Sequence, residues 1–295
     1  MTAPANGFTG DIATVTELLA GQAYLADRGL STAIYLSLTL PQPLLLEGEA
    51  GVGKTEVAKA LAEGLGVELI RLQCYEGIDA NQALYEWDYP RQLLYLRQAA
   101  EAEVHGDGSD DLFAERFLVE RPLLRAIRKG ANCVLLIDEI DRADDEFEAF
   151  LLEILSEFQI TIPEIGTVGA ADPPPVIITS NRTRELHDAL KRRCLYHWID
   201  FPGLEREVEI VAARAPEVPA RLARSTSRVV SRLRGLELVK QPGVAETINW
   251  ARALNQLGED EVTGDNLDIS LGSVIKDHDD LSTVRSWATE ILDGV

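Results

Sequence analysis

A glycine-rich segment carries the clearest chemical signal in the sequence. It matches the spacing G-x-x-x-x-G-K-[ST], and its residues are Gly48, Glu49, Ala50, Gly51, Val52, Gly53, Lys54 and Thr55. Glycines let backbone N–H groups surround phosphate oxygens, and the N-terminus of a following helix favours negative charge. Lys54 is expected to reach the β- and γ-phosphates and Thr55 to bind Mg²⁺, with Glu56 as the next contact. The segment therefore predicts a nucleotide site that takes ATP and Mg²⁺.

The residues on either side of this segment indicate the elements that must hold it. An apolar run at residues 44–46 follows two prolines and predicts a strand. After the segment, apolar residues recur at helical spacing as far as Leu65, and Gly64 and Gly66 mark the end of that helix. A glycine-rich turn without a ligand is the alternative, but such a turn rarely carries a Lys-Thr pair in register.

A second motif consists of an apolar strand that ends in two carboxylates. Residues 133–137 read Cys-Val-Leu-Leu-Ile, which is typical of a strand buried on both faces in a parallel sheet. Asp138 follows, and a carboxylate at this place can orient Mg²⁺ through water. Glu139 is placed to polarise a water molecule for attack on the γ-phosphate. Acidic residues also follow strands as helix caps, but after a phosphate-binding segment the catalytic interpretation is favoured.

The composition of the chain indicates which kinds of partner, metal and membrane contact are disfavoured. The chain has 295 residues, 46% of them hydrophobic, and a formal net charge of −21. This acidic balance argues against a surface built for nucleic acid, which is bound through cationic contacts, although a local basic strip stays possible. The three cysteines and four histidines show no metal-ligand spacing, and the cysteine usage fits a reducing cytoplasm. No secretory signal or membrane-spanning run is evident, so a cytoplasmic protein without membrane insertion is expected.

The order of elements predicts an α/β fold followed by a helical region. Five apolar strands interleave with helices and indicate a parallel five-stranded sheet sandwiched by helices. Strand signals stop near Pro202, which predicts an α/β nucleotide-binding domain at 1–202 and a small all-α lid at 203–295. A helix is expected over 113–129, a second over 143–158, and a hairpin over 159–168.

Two further segments precede the predicted helix at 113–129. Residues 75–97 are rich in tyrosine and tryptophan, which favours aromatics that fix an insertion to the core, with a partner-binding loop as the alternative. Residues 100–111 combine glycines with clustered aspartates and predict a surface loop.

The ordered set of motifs resembles the AAA+ ATPases. It comprises the phosphate-binding segment, the run Leu-Leu-Ile-Asp-Glu-Ile-Asp-Arg-Ala at 135–143, a strand that ends Thr-Ser-Asn at 179–181, and an arginine pair before the last strand. Within that group, the residues Asp141-Arg142-Ala143, the helix after them and the hairpin resemble the MoxR family. The similarity is closest to the MoxR branch used in maturing carbon monoxide dehydrogenase.

The resemblance implies a role for each matching position. Lys54, Thr55 and Asp138 would bind the nucleotide and Mg²⁺, and Glu139 would be the catalytic base. Asn181 lies where the family places a polar residue near the γ-phosphate. Arg192 or Arg193 would be the arginine finger that reaches a neighbouring subunit, and a cation pair at a helix C-terminus is the alternative.

The resemblance also implies partner proteins, and the chain differs from the family pattern at one position. It implies a homo-oligomeric, usually hexameric, ring that acts with a von Willebrand factor A domain protein on a client metalloenzyme. Family members usually carry a sensor arginine early in a lid helix, where this chain has Ala245, and Arg252 lies further along.

The same residues bear on four alternative functions. A nucleotide-gated assembly scaffold with little hydrolysis is supported by Ala245 and opposed by the Asp138-Glu139 pair. A DNA-remodelling AAA+ ATPase is disfavoured by the acidic balance. A GTPase would need an Asn-Lys-x-Asp motif, which residues 180–183 do not supply, and nothing indicates the acceptor pocket of a kinase.

Overall fold

The computed structural model describes residues 8–101 and 112–293, with the backbone alone at 99–101. The chain divides into two compact units. The first comprises the described residues of Met1–Leu18, Asp27–Glu47 and Ala58–His197, and the second those of Leu19–Ala26, Gly48–Val57 and Trp198–Val295. The domain boundary near Pro202 stays a prediction.

A five-stranded sheet organises the first unit. Its strands are β1 (Leu44–Gly48), β2 (Glu68–Gln73), β5 (Cys133–Asp138), β8 (Val176–Ser180) and β9 (Leu195–Ile199). Their order is β2-β5-β8-β1-β9, and the β1–β8, β5–β8 and β2–β5 pairings are parallel. Strands β1, β5 and β8 are buried along their whole length, as the apolar runs that begin them predict. This confirms the predicted five-stranded α/β sheet.

Helices and two further pairs of strands accompany this sheet in the described residues. The helices are α1 (Ile12–Gly21), α2 (Arg28–Thr39), α3 (Lys54–Leu65), α4 (Ala80–Ala83), α5 (Tyr89–Glu101), α6 (Pro122–Lys129), α7 (Asp145–Glu157) and α8 (Asp188–Arg193). Strand β3 (Tyr85–Trp87) pairs antiparallel with β4 (Leu118–Glu120), which lies beyond α5 in the chain, and β6 (Gln159–Ile162) forms a hairpin with β7 (Gly166–Gly169). The helix predicted at 143–158 and the hairpin predicted at 159–168 are confirmed.

The helix predicted over 113–129 is wrong in its first half. Residues 118–120 form a strand that pairs antiparallel with β3, and the helix begins only at Pro122. Proline is favourable at the first position of a helix because it lacks a donor N–H, so it marks a start here. Most of the surface loop predicted at 100–111 lies outside the described residues, which resume at 112. Its first two residues, 100 and 101, belong to α5.

Some aromatics of the segment at 75–97 fix it to the core, as predicted, while its role as a partner-binding loop stays a prediction. Trp87 is buried in the core of the first unit, and Tyr85 and Tyr95 pack against that core. Tyr75 and Tyr89 are instead 42% and 66% exposed. The segment is therefore anchored by some of its aromatics and presents others to solvent.

The second unit contains a helical bundle with its own core. Its helices are α9 (Leu204–Arg214), α10 (Ala220–Leu233), α11 (Val244–Gln256), α12 (Gly264–Ser270), α13 (His278–Ser286) and α14 (Ala288–Leu292). Trp250 lies at the centre with no exposed surface, and its indole Nε1 donates to Ser270 Oγ (2.8 Å). Within residues 8–101 and 112–293, no helix has the length and apolar character needed to cross a membrane.

Candidate active site

The phosphate-binding segment forms a tight loop between β1 and α3. Gly48, Gly51 and Gly53 have φ angles of 155°, 80° and 97°, which residues with a Cβ rarely adopt. A Cβ on Gly48 would lie 2.3 Å from the carbonyl oxygen of Ile199. The glycine positions are therefore required by the backbone path, and the loop leads directly into the N-terminus of a helix of 12 residues.

Lys54 lies inside this loop. Its side chain is buried, and Nζ donates to the carbonyl oxygens of Gly48 (2.8 Å) and Glu49 (2.7 Å). A buried ammonium at the start of a helix makes this place favourable for an anion. The donor set and the glycine cradle thus fit a phosphate group.

Glu56, in the first turn of α3, has a partner within the second unit. Its carboxylate accepts a hydrogen bond from Arg214 at the end of α9 (3.1 Å). Both side chains are partly exposed, so the pair contributes little to stability. This ion pair gives Glu56 a structural contact in addition to the nucleotide contact predicted for it.

The loop also contacts the N-terminus of α11 in the same unit. The Val244 N–H donates to the Gly51 carbonyl oxygen (3.0 Å), and a Cβ on Gly243 would lie 2.6 Å from Gly51 Cα. Only glycine allows the two backbones to approach this closely. A cavity of about 470 Å³ lies beside this contact, with Glu49 and Glu246 among its lining residues. The geometry thus joins loop and helix through backbone atoms.

An ion pair inside the second unit holds the chain that leads into α11. Arg234 donates to both carboxylate oxygens of Glu207 (2.7 and 2.8 Å) and, through Nε, to the Pro242 carbonyl oxygen (2.7 Å). Its guanidinium also lies 4.3 Å from the centre of the Phe201 ring. The side chains of Arg234 and Glu207 are 8% and 0% exposed. One arginine therefore fixes the turn at 242–243 that contacts the loop.

Replacing Arg234 with methionine is expected to lower the free energy of unfolding by about 3–5 kcal/mol, because Glu207 would stay buried without its cation. The second substitution Glu207→Met should recover much of that loss, since an apolar pair removes the uncompensated charge. Urea unfolding followed by circular dichroism measures both. The matched control is Arg224→Met, whose partner Glu205 is exposed, and it should change stability little. Equal losses for the two arginines would contradict the prediction.

The carboxyl ends of β5, β8 and β1 are neighbours in the sheet, and polar residues gather there. Asp138 is 1% exposed, and its Oδ1 accepts a hydrogen bond from Thr179 Oγ1 (2.5 Å). Its Oδ2 accepts from Nε (2.9 Å) and a terminal nitrogen (2.5 Å) of Arg71 on β2. The carboxylate is therefore fixed in place by a hydroxyl and a guanidinium.

Glu139 follows directly and has an unusual backbone. Its φ of 56° and ψ of 50° lie in the left-handed region, and its N–H donates to Thr179 Oγ1 (2.9 Å). Its Oε2 accepts from Gln73 Nε2 (2.9 Å) and from Arg142 (3.1 Å). Left-handed backbone on a residue other than glycine costs free energy and is concentrated at functional sites. The carboxylate is about one-third exposed, so it is positioned and still accessible.

Polar groups at the ends of β1 and β8 complete this edge of the sheet. Glu47 is buried and accepts hydrogen bonds from Ser180 Oγ (3.2 Å) and the Tyr196 hydroxyl (3.1 Å). Burial, together with the hydrogen bond to Glu47, raises the pKa of Tyr196 above its ordinary value. Asn181 follows Ser180 and is half-buried, and within the described part of the chain its amide makes no side-chain hydrogen bond. Its amide is thus available to a ligand.

The two arginines at the end of α8 differ in their surroundings. Arg193 donates to the Leu152 carbonyl oxygen (2.9 Å) and to Ser156 Oγ, and both acceptors lie on α7. Arg192 is exposed and has no hydrogen bond or ion pair with any residue of 8–101 or 112–293. The structure therefore separates one arginine that is anchored within its own unit from one that projects freely.

The lid positions considered for a sensor arginine lie on α11. Ala245 is its second residue and is exposed. Arg252 donates to the Glu217 carboxylate (2.8 Å) and the Arg214 carbonyl oxygen (2.5 Å), so it is held within the helical unit. Position 245 therefore has no guanidinium, and the guanidinium at position 252 is already hydrogen-bonded.

The cysteines are inert components of the first unit. Burial, and then the negative charge of Asp138 and Asp141, raises the pKa of Cys74 to about 12. Burial raises the pKa of Cys133 to about 11 and that of Cys194 to about 12. At neutral pH all three are thiols rather than reactive thiolates.

Several residues of this site were not predicted from the sequence. Arg71 and Gln73 alternate with apolar residues at the end of β2, a pattern that indicates one polar face close to the strand end. Thr179 and Glu47 are the other unpredicted members. Their signal is a polar residue at the carboxyl end of an otherwise apolar buried strand.

Several known proteins are similar to this chain in sequence. Protein NorQ of Paracoccus denitrificans is 28% identical over 66% of this chain and 66% of its own length. Denitrification regulatory protein NirQ of Stutzerimonas stutzeri is 26% identical over 70% of this chain and 68% of its own. Gas vesicle ATPase GvpN of Haloferax mediterranei is 25% identical over 88% of this chain and 76% of its own length. The chain thus spans slightly less than two thirds of NorQ.

A solved structure and a family model extend the comparison. A RuvB mutant of Thermotoga maritima shares the fold with a TM-score of 0.50 at 18% identity, and the match covers 100% of this chain and 81% of that one. Residues 43–194 match the family model described as an AAA domain of the dynein-related subfamily. These findings support the resemblance to MoxR-type AAA+ ATPases. Since the matched segment is just over half of the chain and contains the loop and both carboxylates, the protein belongs to the dynein-related subfamily of AAA domains.

Proposed function

We propose that this chain is an ATP-hydrolysing MoxR-type chaperone that forms a ring and remodels a client metalloenzyme. One observation carries the catalytic part of the proposal. Glu139 has a left-handed backbone, follows the buried Asp138, and is held by Gln73 and Arg142. A carboxylate positioned in this way suits proton abstraction from a water molecule.

The roles of the site residues follow from their chemistry. The loop at 48–55 would bind the phosphates through its backbone N–H groups, and Lys54 would neutralise their charge. Thr55 and Asp138 would hold Mg²⁺, which prefers oxygen ligands and which neutralises charge on the phosphates when bound. Glu139 would take the proton of the attacking water, and the Asn181 amide would orient that water or the γ-phosphate.

A second subunit would complete the site. AAA+ proteins typically form oligomeric rings, and we propose a hexamer in which Arg192 is the arginine finger. The support is that Arg192 is exposed and without a partner among the described residues, whereas Arg193 is anchored to α7. A guanidinium supplied by a neighbour neutralises charge in the transition state of phosphoryl transfer.

The client and its recruitment are inferred from the relatives and the family resemblance. NirQ bears the name of a denitrification regulatory protein. For this chain, we propose a metalloenzyme as the client. The proposed client is a carbon monoxide dehydrogenase-like enzyme. A von Willebrand factor A domain protein would recruit it, and hydrolysis would drive insertion of the metal or cofactor.

Co-production of such a client with this chain tests the proposal. The client should gain metal content and activity with the natural chain and lose most of that gain with the Lys54→Ala variant, because loss of the buried ammonium weakens phosphate binding. Elemental analysis and turnover of the purified client measure the effect. Equal metal content with both chains would contradict a maturation role. The ATPase assignment is tested separately on the isolated chain.

A nucleotide-gated scaffold is the second candidate. It is favoured by Ala245, because an exposed methyl group at this position cannot sense a γ-phosphate as an arginine does. Under this alternative, ATP binding assembles a complex and hydrolysis is negligible. Steady-state turnover of the assembled protein with its client separates the two functions.

A further inference from the structure

Helix α5 presents four apolar side chains to solvent. Tyr89, Leu93 and Leu96 recur at helical spacing along one stripe and are 66%, 53% and 42% exposed, and Leu94 beside them is 59% exposed. Gln92 on the same helix is instead buried and donates to the Leu112 carbonyl oxygen (2.6 Å). A helix that buries glutamine and exposes leucine is the reverse of a surface helix. Clustered exposed apolar side chains of this kind mark an interaction site.

Arginines flank this α5 stripe on an otherwise acidic chain. Arg97 is exposed and has no ion pair or hydrogen bond with the described residues. Arg91 is also exposed, and its guanidinium donates to the Arg116 carbonyl oxygen (3.2 Å). The occupant of the stripe must therefore offer apolar surface bordered by carboxylates. Residues 102–111 are an unsuitable occupant by composition, since their only apolar side chains are those of Ala102 and Val104.

The same unit contains a cavity that is lined by apolar side chains and bordered by carboxylates. It has a volume of about 320 Å³ and lies between the α4–β3 segment and the α7–β6 segment. Its apolar lining includes Leu84, Phe150 and Ile160, and its rim carries Glu153 and Glu157. Both carboxylates are exposed, and neither forms an ion pair within residues 8–101 and 112–293. We name this feature the acidic cavity.

We propose that the α5 stripe of one copy of this chain docks in the acidic cavity of a neighbouring copy. Charge complementarity selects this pairing, because Arg97 would meet Glu153 and Glu157 while the leucines enter the apolar lining. Two α5 stripes facing each other would bring like charges together. The contact therefore joins two different surfaces, and repetition of such a heterologous contact builds a ring if the rotation closes. The inference rests on the ring assembly proposed above and assigns a surface to it.

Charge reversal on each side gives a test with an internal control. Arg97→Glu alone places a carboxylate against Glu153 and Glu157, and Glu153→Lys/Glu157→Lys alone places lysines against Arg97. Each variant alone should assemble at least tenfold more weakly than the natural chain in native mass measurements with a slowly hydrolysed ATP analogue. An equimolar mixture should assemble again, because alternating copies make every contact complementary. The exposed Glu63→Lys variant serves as the matched control and should assemble normally.

The outcomes are distinguishable. Leu93→Ser/Leu96→Ser should also weaken assembly, and mixing with either charge variant should not restore it, because no substituted cavity replaces the lost apolar contact. All of these side chains are exposed, so the variants are expected to fold, which circular dichroism checks. Normal assembly of each charge variant alone, or no recovery in the mixture, would overturn the docking proposal and leave ring formation itself intact. A natural chain that stays monomeric with nucleotide would overturn both.

Discussion

Replacing Arg192 with alanine is expected to lower ATP turnover about 10³-fold or more, the range in which an arginine finger contributes to phosphoryl transfer. The physical reason is that the transition state spreads negative charge over the transferred phosphoryl group, and the variant leaves that charge without a guanidinium. Since Arg192 is exposed and has no partner among the described residues, the substitution should not disturb the fold. A coupled assay for released phosphate, run beside native mass measurement, tests the prediction.

Arg193→Ala is the matched control for this experiment. It removes hydrogen bonds to Leu152 and Ser156 on the same subunit and is expected to affect stability more than turnover. A large loss of turnover with Arg193→Ala and none with Arg192→Ala would assign the finger to the other arginine. If neither variant loses turnover while both assemble, a shared active site is excluded as the mechanism.

Glu139→Gln should lower turnover by about 10²–10⁴-fold, because an amide cannot accept the proton of the attacking water. The amide oxygen can still accept from Gln73 and Arg142, so the local structure and the binding of ATP should persist. Displacement of a fluorescent nucleotide measures binding, and phosphate release measures turnover. Glu63→Gln, at an exposed position on α3, is the control and should behave as the natural chain.

Mixing the two catalytic variants gives a decisive second readout. A subunit with Arg192→Ala still has its own Glu139, and a neighbour with Glu139→Gln still has its own Arg192. Mixed rings should therefore recover part of the turnover that each variant alone lacks. Undiminished turnover of the Glu139→Gln variant would instead remove the catalytic assignment.

Local signals in the sequence predicted most of the fold. Strands β1, β5 and β8 begin with apolar runs, and burial on both faces leaves such runs few alternatives. The strand at 118–120 was missed because it is short and acquires its identity only by pairing with Tyr85–Trp87, a contact with no local signature. Propensity within a short window cannot reveal a partner that lies more than 30 residues away.

In the candidate site, too, residues placed by nearby sequence could be predicted, and residues brought together by the sheet could not. Lys54 and the glycines of the loop are fixed by local geometry and could be assigned from spacing alone. Arg71 and Thr179 contact Asp138 only because β2, β5 and β8 are neighbours in the sheet, so the sequence did not reveal them. The difference between Arg192 and Arg193 likewise depends on which of them reaches α7.

The contact between Gly51 and Gly243 has a consequence for how the loop and α11 respond to solution conditions. A sensor arginine would communicate through a charge, which salt screens over a distance of about 8 Å at physiological ionic strength. The Gly51–Val244 link consists of a backbone hydrogen bond and close van der Waals contact, and neither group titrates or attracts counterions. Communication along this link should therefore be nearly independent of ionic strength and pH, while remaining intolerant of a single added methyl group.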